Sequence, residues 1–270
     1  MNLETLSVAV TDGVAAIELN RPDKANAMNH QMWQDIRSGF RALDEMAEVR
    51  VAVISGRGKH FTSGIDLAML AGLRDQIRDA CDGRAREKLR RIILDMQDTL
   101  SSIERCRKPV VAAIHGACVG GCIDLITCCD MRYASAEAYF SVKEIDVGMT
   151  ADVGTLQRLP KLVPDGIVRE LAYTGRRFDA TEARQMGLVT RVYDSPDDLR
   201  KEVAEIAATI AAKSPLSIRG IKEMLIYSRD HSVPDGLNYI ATWNAAMLMS
   251  DDLTEAMVAA GEKRQPKFRD

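Results

Sequence analysis

The chain has 270 residues, 46% of them hydrophobic, and a formal net charge of -3. Length and apolar content suffice for one large packed domain, or one domain with a smaller appendage. The slight acid excess excludes the broad electrostatic attraction that general binding to nucleic acid or an anionic membrane requires. No apolar run approaches the roughly 20 residues of a membrane-spanning helix, and the N-terminus lacks the basic-then-apolar order of a secretory signal. With no peroxisomal address read in the closing Lys267 to Asp270 and no transit extension read before the first strand, a cytoplasmic location is the expectation.

In chain order, residues 3–19 alternate like a strand pair around Asp12 and Gly13. In residues 31–46, Met32, Ile36, Phe40 and Leu43 recur at spacings of three and four and predict an amphipathic helix; residues 84–103 predict another. Short β-branched runs at 51–55 and 110–114, and a weaker one at 131–134, lie between such stretches, the alternation of α/β units with parallel strands. After Val192 helix formers dominate residues 197–212, 215–227, 234–249 and 251–263, with Pro215 and Pro234 near capped starts. This predicts an α/β core over residues 1–195 and an all-helical region over 196–270, packed on the core or on a neighbouring subunit with no low-complexity linker between.

Chemistry concentrates in residues 140–158, where Glu144, Asp146 and Asp152 lie in an apolar, glycine-punctuated stretch with no cation between Lys143 and Arg158. Such a segment makes an improbable surface. Burial raises a carboxylate pKa toward neutrality, so Glu144 and Asp152 are the first candidates for general acid and base. Residues 108–124 read as a buried strand, a glycine loop and a helix start, which leaves the Gly121 amide free for an oxyanion; close helix-to-strand packing explains the glycines equally well. A second loop, 58–67, offers further amides, with Ser63 one candidate partner. Cys118, Cys122, Cys128 and Cys129 lack the paired short spacing of a zinc site and read as small apolar residues, so no metal is expected. His115 reads as structural, and Ser63 lies outside any nucleophile elbow.

These segments together resemble the crotonase, or enoyl-CoA hydratase/isomerase, superfamily: residues 20–27, 60–67, 108–130, 143–160 and 213–215. The resemblance implies a crotonase-like spiral of ββα units, a helical C-terminal trimerisation region, and a homotrimer or a homohexamer of two trimers. It implies an acyl-CoA thioester substrate, with coenzyme A part of that substrate and no separate cofactor. It places the thioester oxyanion on the backbone amides of Ser63 and Gly121, each three residues before an aspartate, Asp66 or Asp124. Substrate contacts are implied near Lys24, Ala25 and Ala27 and along Ser63, Gly64, Ile65, Asp66 and Leu67.

Within the superfamily, typical hydratases carry glutamates at positions 124 and 144 and a glycine at 152, whereas this chain has Asp124, Glu144 and Asp152. That set resembles the isomerases that convert 3,5-dienoyl-CoA into 2,4-dienoyl-CoA in fatty acid β-oxidation; Cys122 departs from their usual glycine. Shifting the diene takes a proton from C2 and returns one at C6, which needs two stations. Glu144 and Asp152 supply them, with Asp124 tuning the pocket. Hydration of 2-enoyl-CoA by Asp124 and Glu144 is the enzymatic alternative; a non-catalytic acyl-CoA scaffold or an RNA-binding member of the fold is the alternative from another class. Asp66 reads as a helix cap, Arg21 and Lys24 as solvated charges, and Asp146 as structural.

Overall fold

The structure, a computed structural model, describes residues 3–270. The opening alternation forms the antiparallel hairpin β1 (Leu6–Thr11) and β2 (Val14–Leu19). Helix α1 (His30–Glu45) starts where the Asn29 side chain accepts from the Met32 amide, and it buries the expected stripe of Met32, Ile36, Phe40 and Leu43. Then come β3 (Val51–Gly56), the short helices α2 (Leu67–Ala71) and α3 (Leu73–Gln76), and the long α4 (Asp82–Arg105).

Next are β4 (Val110–Ile114), β5 (Ala117–Val119), α5 (Gly121–Thr127), β6 (Met131–Ser135), β7 (Tyr139–Ser141), a 3-10 turn over Glu144–Val147 and α6 (Thr155–Arg158). The chain continues through α7 (Asp165–Thr174), β8 (Phe178–Asp179), α8 (Ala180–Gln185) and β9 (Arg191–Tyr193). It ends in α9 (Pro196–Ala211), α10 (Pro215–Asp230), α11 (Val233–Met247) and α12 (Asp251–Gly261).

Two sheets result, one ordered β1-β2-β3-β4-β6-β9 and one ordered β5-β7-β8. From β2 to β9 the larger sheet is parallel, with Val14 opposite Val51 and Val111 opposite Met131. Consecutive strands β4 and β5, then β6 and β7, divide between the sheets before a helix follows, which is the repeated ββα unit of the spiral. Every residue of β4 is buried, as expected for a strand covered on both faces. The four clustered cysteines are buried and free, and they pack as small apolar groups.

The first helix of the C-terminal run packs on the larger sheet. Helix α9 buries Leu199, Val203 and Ala207 against Val51, Val111, Ala113 and Tyr133 of the sheet, so it belongs to the core. The helices beyond it are tied on chiefly by polar contacts: Lys222 of α10 donates to Asp130 at 2.8 Å and to the Lys108 carbonyl at 3.0 Å. They leave Ile221, Leu225, Val233, Leu237, Met249 and Met257 exposed. No helix among the described residues is long and apolar enough to cross a membrane.

Candidate active site

Where α5 begins, its first-turn amides have no acceptor within the helix. Against this end lies the 62–66 loop, held by the Thr62 hydroxyl on the Asn26 carbonyl (2.7 Å), the Met28 amide on the Gly64 carbonyl (2.8 Å) and the Asp66 amide on the Met28 carbonyl (3.1 Å). The loop runs so close to α5 that a methyl group on Gly64 would sit 2.5 Å from the Val119 carbonyl and 3.2 Å from the Gly121 nitrogen. Gly64 also has a φ of +92°, so only glycine fits.

This geometry corrects one residue of the expected amide pair. The Ser63 amide is already spent on the Ala25 carbonyl at 3.0 Å, and Ser63 does not line the cavity in front of α5. Ile65 does line it, two residues further on, as does Gly121; a methyl group on Gly121 would lie 3.7 Å from the Ile65 nitrogen. Neither amide donates a hydrogen bond to the chain among the described residues. The pair facing the cavity is therefore Ile65 and Gly121, and the offset of three residues before each aspartate fails at the first loop.

The cavity has a volume of about 330 Å³. One wall is apolar: Leu89, Ile92, Ile93 and Met96 of α4, with Met69, Leu70 and Leu73 of α2 and α3. The other carries Asp124, Glu144 and Asp152. The α4 stripe was visible as helical spacing, but periodicity alone does not say whether a stripe faces a core or a ligand.

Each of the three acids has its pKa raised, and in each the chief cause is burial. Asp124 is fully buried; its Oδ1 accepts from the Thr155 amide at 2.5 Å, Oδ2 has no partner, and its pKa is pushed up to about 6. Glu144 also has one carboxylate oxygen buried without a partner, and burial together with the Asp124 charge raises its pKa to about 7. Burial raises Asp152 as well, and the Gln97 side chain holds its backbone carbonyl at 2.6 Å. A carboxyl with an orphaned oxygen and a pKa near neutrality suits proton exchange with a substrate.

Residues 145–148 depart from the expected burial. Ile145, Asp146 and Val147 are exposed, and Asp146 pairs with Lys143, so only the ends of the acidic segment reach the cavity. Asp66 caps α2 by accepting from the Ala68 amide at 3.0 Å and pairs with Arg21 at 3.0 Å, so the Arg21 guanidinium is engaged within the chain. Lys24, Ala25 and Ala27 lie on the adjoining 24–27 segment and Leu67 opens α2, all four outside the acyl-sized cavity. His115 is structural, its Nε2 2.9 Å from the Gly58 carbonyl.

Replacing Gly64 with alanine is expected to push the Ile65 amide out of line with Gly121. A lost oxyanion donor costs roughly 10²- to 10³-fold in kcat. Steady-state kinetics on an acyl-CoA substrate, with circular dichroism to confirm folding, would register this; a fully active, folded variant would remove Ile65 from the site.

The chain matches the enoyl-CoA hydratase/isomerase family over residues 9–270. It is 48% identical over 267 residues to the peroxisomal Delta(3,5)-Delta(2,4)-dienoyl-CoA isomerase of Arabidopsis thaliana, covering 98% of this chain and 96% of that one. It is 46% identical over 257 residues to the mitochondrial Delta(3,5)-Delta(2,4)-dienoyl-CoA isomerase of Homo sapiens, covering 94% and 78%. Among solved structures, an enoyl-CoA hydratase from Bacillus anthracis superposes with a TM-score of 0.89 at 30% identity, covering 98% and 99%. The expected cytoplasmic location is overturned by these relatives, which are named for the peroxisome and the mitochondrion; neither composition nor fold carries compartment information. With a family match across nearly the whole length, spanning the three carboxylates and the facing amides, the chain belongs to the enoyl-CoA hydratase/isomerase family.

Proposed function

We propose that the protein is an isomerase converting 3,5-dienoyl-CoA into 2,4-dienoyl-CoA. The observation that carries this reading is the presence of Asp152 in the same cavity as Glu144, Gly121 and Ile65, which supplies a second proton-transfer station that hydration does not need. Two relatives named for this reaction, at 46% and 48% identity, support it.

In the mechanism we favour, the thioester oxygen rests on the Ile65 and Gly121 amides, which lower the cost of the negative charge that develops there. Glu144 takes the C2 proton; electrons shift from C2 through the diene, and Asp152 delivers a proton to C6. The C2–H bond breaks, a C6–H bond forms, and the double bonds move by one carbon. The buried Asp124 carboxyl keeps the cluster from ionising together, so one acid retains a proton at neutral pH. Protons are all that is transferred, and coenzyme A enters as part of the substrate, seated along residues 24–27 and 63–67.

The purified protein assayed side by side on 3,5-dienoyl-CoA and 2-enoyl-CoA tests the reading. Faster turnover of the dienoyl substrate is expected; hydration of 2-enoyl-CoA without dienoyl turnover would favour the hydratase alternative. The exposed apolar residues of α10 to α12 support assembly into a trimer or a hexamer of two trimers. Light scattering is expected to give three or six times the chain mass, and a monomer at micromolar concentration would count against the assembly.

A further inference from the structure

Asp152 lies on an irregular loop between the Glu144–Val147 turn and α6, so its position depends on what braces that loop. Two contacts do so from behind. Gln97 of α4 donates to the Asp152 carbonyl at 2.6 Å. Two residues on, Gly154 has a φ of +139°, and a methyl group there would collide with the Arg158 guanidinium, which is folded back beneath the loop. Arg158 is held in turn by Glu104 of α4, at 3.3 Å and 3.1 Å to the two carboxylate oxygens, and by the Ser101 hydroxyl at 3.0 Å.

Glu104 and Arg158 are largely shielded from water, each with 16% side-chain exposure, so the fork-to-carboxylate pair is far stiffer than a surface ion pair. Glu104 also accepts from Arg229 of α10. Helix α4 therefore has two working faces. Leu89, Ile92, Ile93 and Met96 line the cavity, while Gln97 holds the Asp152 carbonyl and Ser101 and Glu104, four and seven residues on, hold the Arg158 side chain packed behind that loop.

We propose that Gln97, Glu104 and Arg158 are positioning residues that hold Asp152 at its station on the acyl chain, with Arg229 linking that brace to the C-terminal helices. The proposal rests on the reading of Asp152 as the C6 proton donor. Glu144 hangs on a different segment and the Ile65 and Gly121 amides on others, so loosening the brace should spare removal of the C2 proton while impairing delivery at C6. Displacements of about 1 Å at a reacting group can cost on the order of 10² in rate.

The test compares wild type, Glu104→Gln, Gln97→Met and Asp152→Asn in D₂O, measuring C2 hydrogen exchange and formation of 2,4-dienoyl-CoA on the same 3,5-dienoyl-CoA. The Gln97 variant loses only one hydrogen bond and serves if Glu104→Gln does not fold. Isomerisation in the brace variants is expected to fall roughly 10- to 100-fold with KM little changed and exchange kept, shifting the ratio of the two rates in the direction of Asp152→Asn. A merely structural role would lower both rates together. Equal losses in both, or a ratio unchanged from wild type while Asp152→Asn shifts it, would overturn the brace and leave the role of Asp152 intact. An unchanged ratio in Asp152→Asn itself would overturn both.

Discussion

Glu144→Gln is expected to lower isomerisation of 3,5-dienoyl-CoA by roughly 10⁴-fold, the upper end of what one positioned proton-transfer group contributes, and to abolish C2 exchange with it. The amide cannot take the C2 proton, and no later step proceeds without the dienolate. The same substitution should make the unliganded protein more stable at alkaline pH. Burial raises the Glu144 pKa from 4.5 to about 7. The folded state therefore binds a proton more tightly than the unfolded chain; the resulting stabilisation is fully present below pH 4.5 and is lost as pH rises through about 7.

At about 1.4 kcal/mol per unit the full shift corresponds to about 3 kcal/mol, and partial exposure and coupling to Asp124 reduce this to about 2. Glutamine has no charge to desolvate. Denaturant titrations should find the variant more stable than wild type at pH 8 by about that amount, with the difference closing near pH 4.5. A variant destabilised at pH 8, with activity retained, would show that Glu144 is a structural carboxylate. In the wild type, C2 exchange should fall as pH drops below about 7, because only the ionised carboxylate accepts the proton.

Asp152→Asn carries the second large effect, a fall in isomerisation of roughly 10² to 10³ with C2 exchange preserved. The chain fold should survive, because the brace on this loop grips the Asp152 carbonyl and the Arg158 side chain, neither of which the substitution alters. Stopped-flow absorbance of the conjugated product and isotope exchange at C2 measure the two halves separately. Parallel loss of both would mean that Asp152 supports the pocket without transferring a proton.

Much of this site is legible in the sequence. The 31–46 stripe, the hairpin about Asp12 and Gly13, and the buried run 110–114 follow from period and propensity, and the α5 amide end follows from the glycines before Asp124. Carboxylates in an apolar stretch pointed to Glu144 and Asp152, though the exposure of Ile145 and Val147 shows that the 3-10 turn carries the middle of that stretch outward. The amide opposite Gly121 is not legible in the sequence, because an offset from an aspartate does not reveal which N–H is spent on the chain. Only the contact of Ser63 with Ala25 separates it from Ile65. The Glu104–Arg158 brace joins side chains 54 residues apart in sequence, which no local pattern reports.

The proposed two-station relay stands or falls on Asp152. The most direct measurement is the position of deuterium, by NMR, in the product formed from 3,5-dienoyl-CoA in D₂O by wild type and by Asp152→Asn. Wild type is expected to yield 2,4-dienoyl-CoA with deuterium at C6, and the variant to keep exchanging C2 hydrogen while forming that product roughly 10²- to 10³-fold more slowly. Formation of C6-deuterated 2,4-dienoyl-CoA by Asp152→Asn at the wild-type rate would contradict the relay.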